Sequence, residues 1–188
     1  GDYLAFVGRF SPEKCPDRAI EIAKRVGMRL IMAAKVDYQD QEYFDTVIKP
    51  LLKHPLIEYV GTVGEEEKQQ LMGRALALIA PIDWPEPFGM VFIESLAVGT
   101  PVLTCPLGSV PELLQDGVTG FIRETTEELA ACIEQVRGLS RARCRAYVRR
   151  KFDITKMALE YVNAYARVQR HPEPFHLNPD PAGGVLLG

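Results

Sequence analysis

The stretch "LALIAPIDWPEPFGMVFIESLAVGTPVLTC", residues 76–105, decides the fold. "LALIAPI" (76–82) is an apolar run of strand length, and "PVLTC" (101–105) is another. Between them lie a proline-rich turn and a helical segment. Pro87 forces Glu86 into an extended conformation and itself suits the first position of a helix over 87–98. Strand, helix and strand in this order read as a crossover between parallel strands.

The same alternation runs through the first 123 residues. "YLAFV" (3–7), "RLIMAA" (29–34), "IEYVG" (57–61) and "TGFIR" (119–123) read as further strands. Helices are expected at 17–26, at 41–53 with an interruption near Pro50, at 65–75 and near 111–115. Most strands are apolar on both faces. That pattern belongs to an α/β, Rossmann-like, doubly wound domain with a mainly parallel six-stranded sheet and helices on both faces. Extra C-terminal helices follow at about 126–138, 140–150 and 154–169, so we expect one domain over 1–170. The tail 171–188 is rich in proline and glycine and is expected to be a loosely ordered extension.

With 188 residues, the chain has room for one domain of ordinary size. Its net charge of −3 gives no reason to expect nucleic acid. The basic run "SRARCRAYVRRK" (140–151) reads as the solvated face of a helix. Cys15, Cys105, Cys132 and Cys144 lack CxxC spacing, which argues against a zinc knuckle or a disulfide scaffold and for a reducing, cytoplasmic setting. No apolar run reaches transmembrane length. The chain begins directly on a strand without an initiator Met, so a piece of a longer protein is expected.

In doubly wound sheets, ligands gather beyond the carboxyl ends of the strands. The amides of Phe88, Gly89 and Met90, in the first turn of the expected helix, would make a seat for an anion, although a simple turn and cap reads equally well. Arg9 and Lys14, in "GRFSPEK", can both project over those strand ends and clamp a diphosphate. The alternative is that they pair with Glu13, Asp17 or Glu21 on the surface. Glu94 has Met90, Val91, Ala97 and Val98 three and four residues away, so it is expected on a buried apolar face. There it needs a partner: either the vicinal hydroxyls of a ribose or a core arginine. The loop after the first strand holds one glycine, Gly8, and no GxGxxG, which counts against a nicotinamide dehydrogenase. A flavodoxin-like signalling module would place an acidic cluster where Arg9 and Lys14 stand.

Glu86 and Glu94, with seven residues between them in "EPFGMVFIESLAVGTPV", resemble the E-x7-E motif of retaining GT-B glycosyltransferases of family 4. "GRFSPEK" resembles that family's GR-(F/L)-x-PEKG loop, and "GSVPELLQDGVTGFI" resembles its GG-x-PE run. The resemblance implies the donor-binding, C-terminal half of a two-domain enzyme whose substrate is a nucleoside-diphosphate sugar. The partner domain would bind the acceptor and make any peripheral membrane contact. In this reading Arg9 and Lys14 hold the diphosphate, and Phe88, Gly89, Met90 and Val91 support phosphate and sugar. Glu86 hydrogen-bonds the transferred hexose, Glu94 takes the ribose, and the backbone near Val60 and Val63 lines the base pocket. Glu86, Arg9 and Lys14 are the catalytic set. No cofactor and no metal is expected, because the chain has no D-x-D and "DYQD" (37–40) has the wrong spacing. A sugar-nucleotide epimerase of similar architecture, or a nucleotide-binding module without catalysis, remains the competing reading. Two departures stand out. Cys15 occupies a position where glycine is usual, and Ser109 replaces the second glycine of the pair. Ser109 and Glu112 read as a capping box for the next helix.

Overall fold

A computed structural model describes residues 1–170. The expectation for the tail lies outside the described residues. Six strands run through the first unit: β1 (Tyr3–Arg9), β2 (Arg29–Lys35), β3 (Ile57–Gly61), β4 (Ala77–Ala80), β5 (Val102–Thr104) and β6 (Gly120–Ile122). All pair in parallel in the order β3-β2-β1-β4-β5-β6. The chain builds outward from β1 to β3, then returns to lay β4 on the other side of β1. The strand order therefore reverses between β1 and β4, which opens a crevice at their carboxyl ends.

The helices are α1 (Pro16–Val26), α2 (Gln41–Tyr43), α3 (Lys49–Leu51), α4 (Glu65–Arg74), α5 (Met90–Ala97), α6 (Val110–Leu113), α7 (Thr126–Ala131), α8 (Ile133–Val136), α9 (Arg141–Lys151) and α10 (Ile154–Arg170). A π-turn over Phe44–Ile48 joins α2 to α3 just before Pro50. Proline has no N–H to close a regular turn, and the wider turn accommodates the gap. Helix α1 packs against α7, while α5 packs against α4 and α9. Right-handed crossovers put these two sets on opposite faces of the sheet. Leu4, Leu30, Met32, Leu78, Ile79 and Leu103, from the four inner strands, form the fully buried centre.

Compactness divides the chain into a unit over Gly1–Lys151 and a second that begins at Phe152. In the second, Asp153 accepts hydrogen bonds from the amides of Thr155 and Lys156 to cap α10, and the Tyr161 and Tyr165 rings lie 6.2 Å apart. No helix among the described residues is long and apolar enough to cross a membrane.

All four cysteines are buried and unpaired. Burial pushes every thiol up, that of Cys15 to about 11. A thiolate is the reactive form, so none should titrate with Ellman's reagent in the native chain at mildly alkaline pH. All four should react after denaturation. Fast labelling of a native thiol would contradict this packing.

Candidate functional site

The loop after β1 arches over the carboxyl end of its own strand. Pro12–Lys14 form one 3-10 turn, and Cys15 closes it with φ 48° and ψ 53°, among the described residues the one non-glycine at positive φ. Cys15 thus adopts the left-handed backbone that glycine would take without cost, at a penalty of about 1–2 kcal/mol. The turn it makes is what aims Lys14 back across the crevice.

The facing loop, 81–89, leaves β4 and is held by the segment after β5. The Ser109 amide donates to the Glu86 carbonyl at 2.8 Å, and the Ser109 hydroxyl donates to the Phe88 carbonyl at 3.0 Å. Gly108, at φ 63°, lies flush against the Glu86 backbone, where a Cβ would clash. This overturns the expected capping box. Ser109 already has helical dihedrals and its side chain makes no cap bond, because it is committed to the Phe88 carbonyl of the neighbouring loop instead. The same anchoring delays the helix. Residues 86–88 stay outside the helix, Gly89 turns the chain at φ 80°, and α5 starts at Met90 rather than at Pro87. A side chain on residue 89 would come within 2.6 Å of the Phe92 ring.

Between these loops lies a cavity of about 240 Å³. Arg9, Lys14, Glu86, Gly89, Met90 and Val91 all line it, so the cations and the helix tip share one space. The first amides of α5 have no preceding turn to bond to, and the positive end of its dipole opens there.

Neither cation is idle. Lys14 pairs with Glu86, whose residue is only 9% exposed, and its ammonium lies 4.7 Å from the centre of the Trp84 ring. The indole N–H of Trp84 donates to the same Glu86 oxygen, Oε2, at 3.1 Å. Arg9 donates to Glu13 at 2.6 Å and lies 3.5 Å from Asp37 and 3.7 Å from Asp40. Burial alone would raise the Glu13 carboxyl, but local hydrogen bonds and the Arg9 and Lys14 charges outweigh it and hold it low. Burial pushes Asp40 up, Arg9 opposes it, and the Glu13 and Asp37 charges add to the rise. Arg9 is thus a hub between the loops after β1 and β2. The alternative of pairing with Glu13 is realised for it, and two aspartates that sequence reasoning had not placed there join in.

Glu94 corrects a second expectation. It is not on a buried face: its side chain is 29% exposed and forms an ion pair with Lys68 of α4 at 3.0 Å. The buried stripe of α5 is Phe92, Ser95 and Leu96, while Met90, one turn before Glu94, is 60% exposed. The apolar residues around Glu94 cover one another without being covered. Its partner is a lysine at a half-open rim, not a core arginine. Lys68 is itself raised: burial would lower it, but Glu65 and Glu94 outweigh that.

Val60 and Val63 lie at and beyond the carboxyl end of β3, two strands away from β1, and are not among the cavity-lining residues. Phe88 does not line the cavity either; it contributes its carbonyl to the Ser109 clamp. Trp84, Gly108 and Lys68 were missed by sequence reasoning. Trp84 carried a signal, as the chain's single tryptophan two residues before Glu86.

Comparison with known proteins agrees with this fold. AviGT4, a glycosyltransferase involved in avilamycin A biosynthesis, superposes with a TM-score of 0.77 at 27% identity, over 91% of this chain and 52% of that one. Anabaena Alr3699/HepE, solved in complex with UDP-glucose, gives 0.78 at 22% identity over 89% of this chain and 49% of its own. D-inositol 3-phosphate glycosyltransferase of Mycolicibacterium smegmatis is 31% identical over 122 residues, 63% of this chain and 28% of the relative. The chain therefore spans about half the length of the solved structures and about a quarter of that curated relative. The family model of glycosyl transferases group 1 matches residues 1–151, the whole of the first compact unit. The chain belongs to the group 1 glycosyl transferases.

Proposed function

We propose that this unit is the donor-binding half of a retaining, metal-independent glycosyltransferase that moves a hexose from a UDP- or GDP-sugar to an acceptor bound elsewhere. The observation that carries the reading is the shared cavity of Lys14, Arg9, Glu86 and the α5 tip at the strand-order reversal. AviGT4 and HepE, both of this fold, support it, the latter by its complex with UDP-glucose.

When the sugar leaves, the diphosphate gains charge while the anomeric carbon becomes electron-poor. Lys14, Arg9 and the amides of Met90 and Val91 meet that charge, and a preorganised set of this kind acts most strongly in a dry cleft. Glu86 accepts from hexose hydroxyls, Glu94 accepts from the ribose, and the backbone near Val60 and Val63 receives the base. Every charged partner is already engaged, so donor binding is an exchange: Lys14 releases Glu86 for phosphate, and Glu94 divides itself between Lys68 and the ribose. Exchange of one ion pair for another keeps the free site from holding an uncompensated buried charge. The acceptor half completes the cleft, so this unit alone binds donor but transfers little sugar.

Calorimetry with nucleosides, nucleoside diphosphates and sugar nucleotides tests the reading. Lys14→Ala should weaken nucleoside diphosphates about tenfold or more, the worth of a charged hydrogen bond, and leave nucleosides nearly unchanged. Glu94→Gln should weaken every ribose-bearing ligand alike. Arg9→Ala should cost affinity by baring Glu13, Asp37 and Asp40 beside the phosphates. Equal affinities across these variants would overturn the assignment. Conversion of a sugar nucleotide without any acceptor would instead favour an epimerase.

A further inference from the structure

The Glu86 carboxylate is held by two donors of different character. Lys14 is a flexible ammonium on the loop after β1. Trp84 is a stiff indole two residues before Glu86 on the same loop, and both converge on Oε2. Oε1 is engaged by neither. The two donors also touch each other, with the Lys14 ammonium over the Trp84 ring.

If a diphosphate takes Lys14, Glu86 loses its counter-ion in a spot where the residue is nine-tenths buried. A carboxylate left there without a donor would swing away, and would then present no ordered acceptor. The indole N–H does not leave with the lysine. Its loop is pinned from both sides: the Asp83 amide donates to the Glu13 carbonyl at 2.9 Å, Arg18 pairs with the Asp83 carboxylate at 2.5 Å, and Ser109 holds Glu86 and Phe88 from the other side.

We infer that Trp84 is a positioning residue for the donor sugar: its indole N–H keeps Glu86 Oε2 in place after Lys14 has moved to the diphosphate, so that Oε1 remains aimed at a hexose hydroxyl. The inference rests on the donor role proposed for Glu86 and adds a residue that acts through it. The ring has a second duty. Its face lies where the ammonium sits before the exchange, so it shelters Lys14 in the free state through a cation–π contact.

Trp84→Phe separates the two duties, because phenylalanine keeps an aromatic face and lacks the N–H. Calorimetry on the 188-residue chain would compare UDP with UDP-glucose and GDP with GDP-mannose, with a thermal melt to confirm folding. In Trp84→Phe the ratio of sugar-nucleotide to nucleoside-diphosphate affinity should fall about tenfold, as for loss of one hydrogen bond to a charged group. The affinity for the nucleoside diphosphate itself should change less than about threefold on the same reasoning, since the N–H does not touch it. A general loosening of the loop would weaken both ligands together and leave the ratio alone. Glu86→Ala should lower the ratio by itself, and adding Trp84→Phe to it should lower it no further, because the indole acts only through that carboxylate.

A ratio unchanged in Trp84→Phe, or one that drops again on the Glu86→Ala background, overturns the positioning role. The donor site proposed above survives that outcome if Lys14→Ala still loses nucleoside diphosphates. A wild-type chain that binds none of the four ligands overturns both.

Discussion

Replacing Gly108 by alanine is expected to destabilise the chain by about 2–4 kcal/mol and to abolish the geometry of the cavity beside Glu86, a loss far out of scale with one methyl group. Two costs combine. The backbone at φ 63° is left-handed, which any non-glycine residue adopts at about 1–2 kcal/mol. The new Cβ would also press on the backbone of Glu86, which has no rotamer with which to yield. Relief requires the 86–88 loop to lift from Ser109, and that movement takes the Glu86 carboxylate and the Gly89 turn with it. Gly117→Ala is the control: its φ of 71° carries the same conformational cost, but nothing lies within 4 Å of its would-be Cβ. Chemical denaturation should therefore show Gly117→Ala losing only about 1 kcal/mol, the conformational part alone. Equal losses for the two variants would mean that the contact between residue 108 and the Glu86 loop has no energetic weight.

Arg141→Met should destabilise the fold by about 2–4 kcal/mol, although it removes a charge from a run of six basic residues that reads as solvated surface. Its guanidinium turns inward and donates to the Gly73 carbonyl at 2.5 Å, the Ala75 carbonyl at 2.9 Å and the Thr100 hydroxyl at 2.8 Å. Thr100 passes the chain of bonds on, donating to the Met72 carbonyl at 2.6 Å. The end of α4, the approach to β4 and the turn after α5 are thus tied by one side chain. A cation also suits the carboxyl end of a helix dipole. Burial lowers the Arg141 pKa, and the neighbouring Arg145 charge adds to that, but a guanidinium keeps its proton. Methionine fills the volume and leaves the acceptors without donors. Lysine should recover only part of the loss, since a single ammonium cannot span three acceptors in a plane. A denaturation midpoint for Arg141→Met indistinguishable from wild type would show that water replaces the guanidinium at no cost.

The expected alternation of strands and helices survives in the structure because it rests on local facts. Apolar runs of four to seven residues such as "RLIMAA", too short for an ordinary helix and bounded by turn residues and charge, carry their strand signal within themselves. The same local logic picked out the loops after β1 and β4, and Arg9, Lys14, Glu86 and Gly89 meet around one cavity. What the local reading could not settle was what the rest of the fold lays against each residue. The helix after Pro87 had a sound local start, but Ser109, more than twenty residues on, ties the Glu86 and Phe88 carbonyls, and the helix starts only at Met90. Glu94 has four apolar neighbours in its helix, yet burial depends on what the rest of the fold lays over that face. The basic run 140–151 does present arginines to water, and the sequence gives no hint that Arg141 alone turns in to cap a helix ending nearly seventy residues earlier.

From its sequence alone, this chain was bound to make a parallel, doubly wound sheet and to bring two cations and a glycine-bearing helix tip to the carboxyl end of its strands, because backbone dihedral preferences and hydrophobic period act between near neighbours. Only the tertiary structure decided who holds whom: Lys14 with Glu86 and Trp84, Arg9 with three carboxylates, Glu94 with Lys68, Ser109 with the Glu86 and Phe88 carbonyls. Those pairings join residues on different elements, and a side chain's partner is set by which loops the sheet order brings face to face.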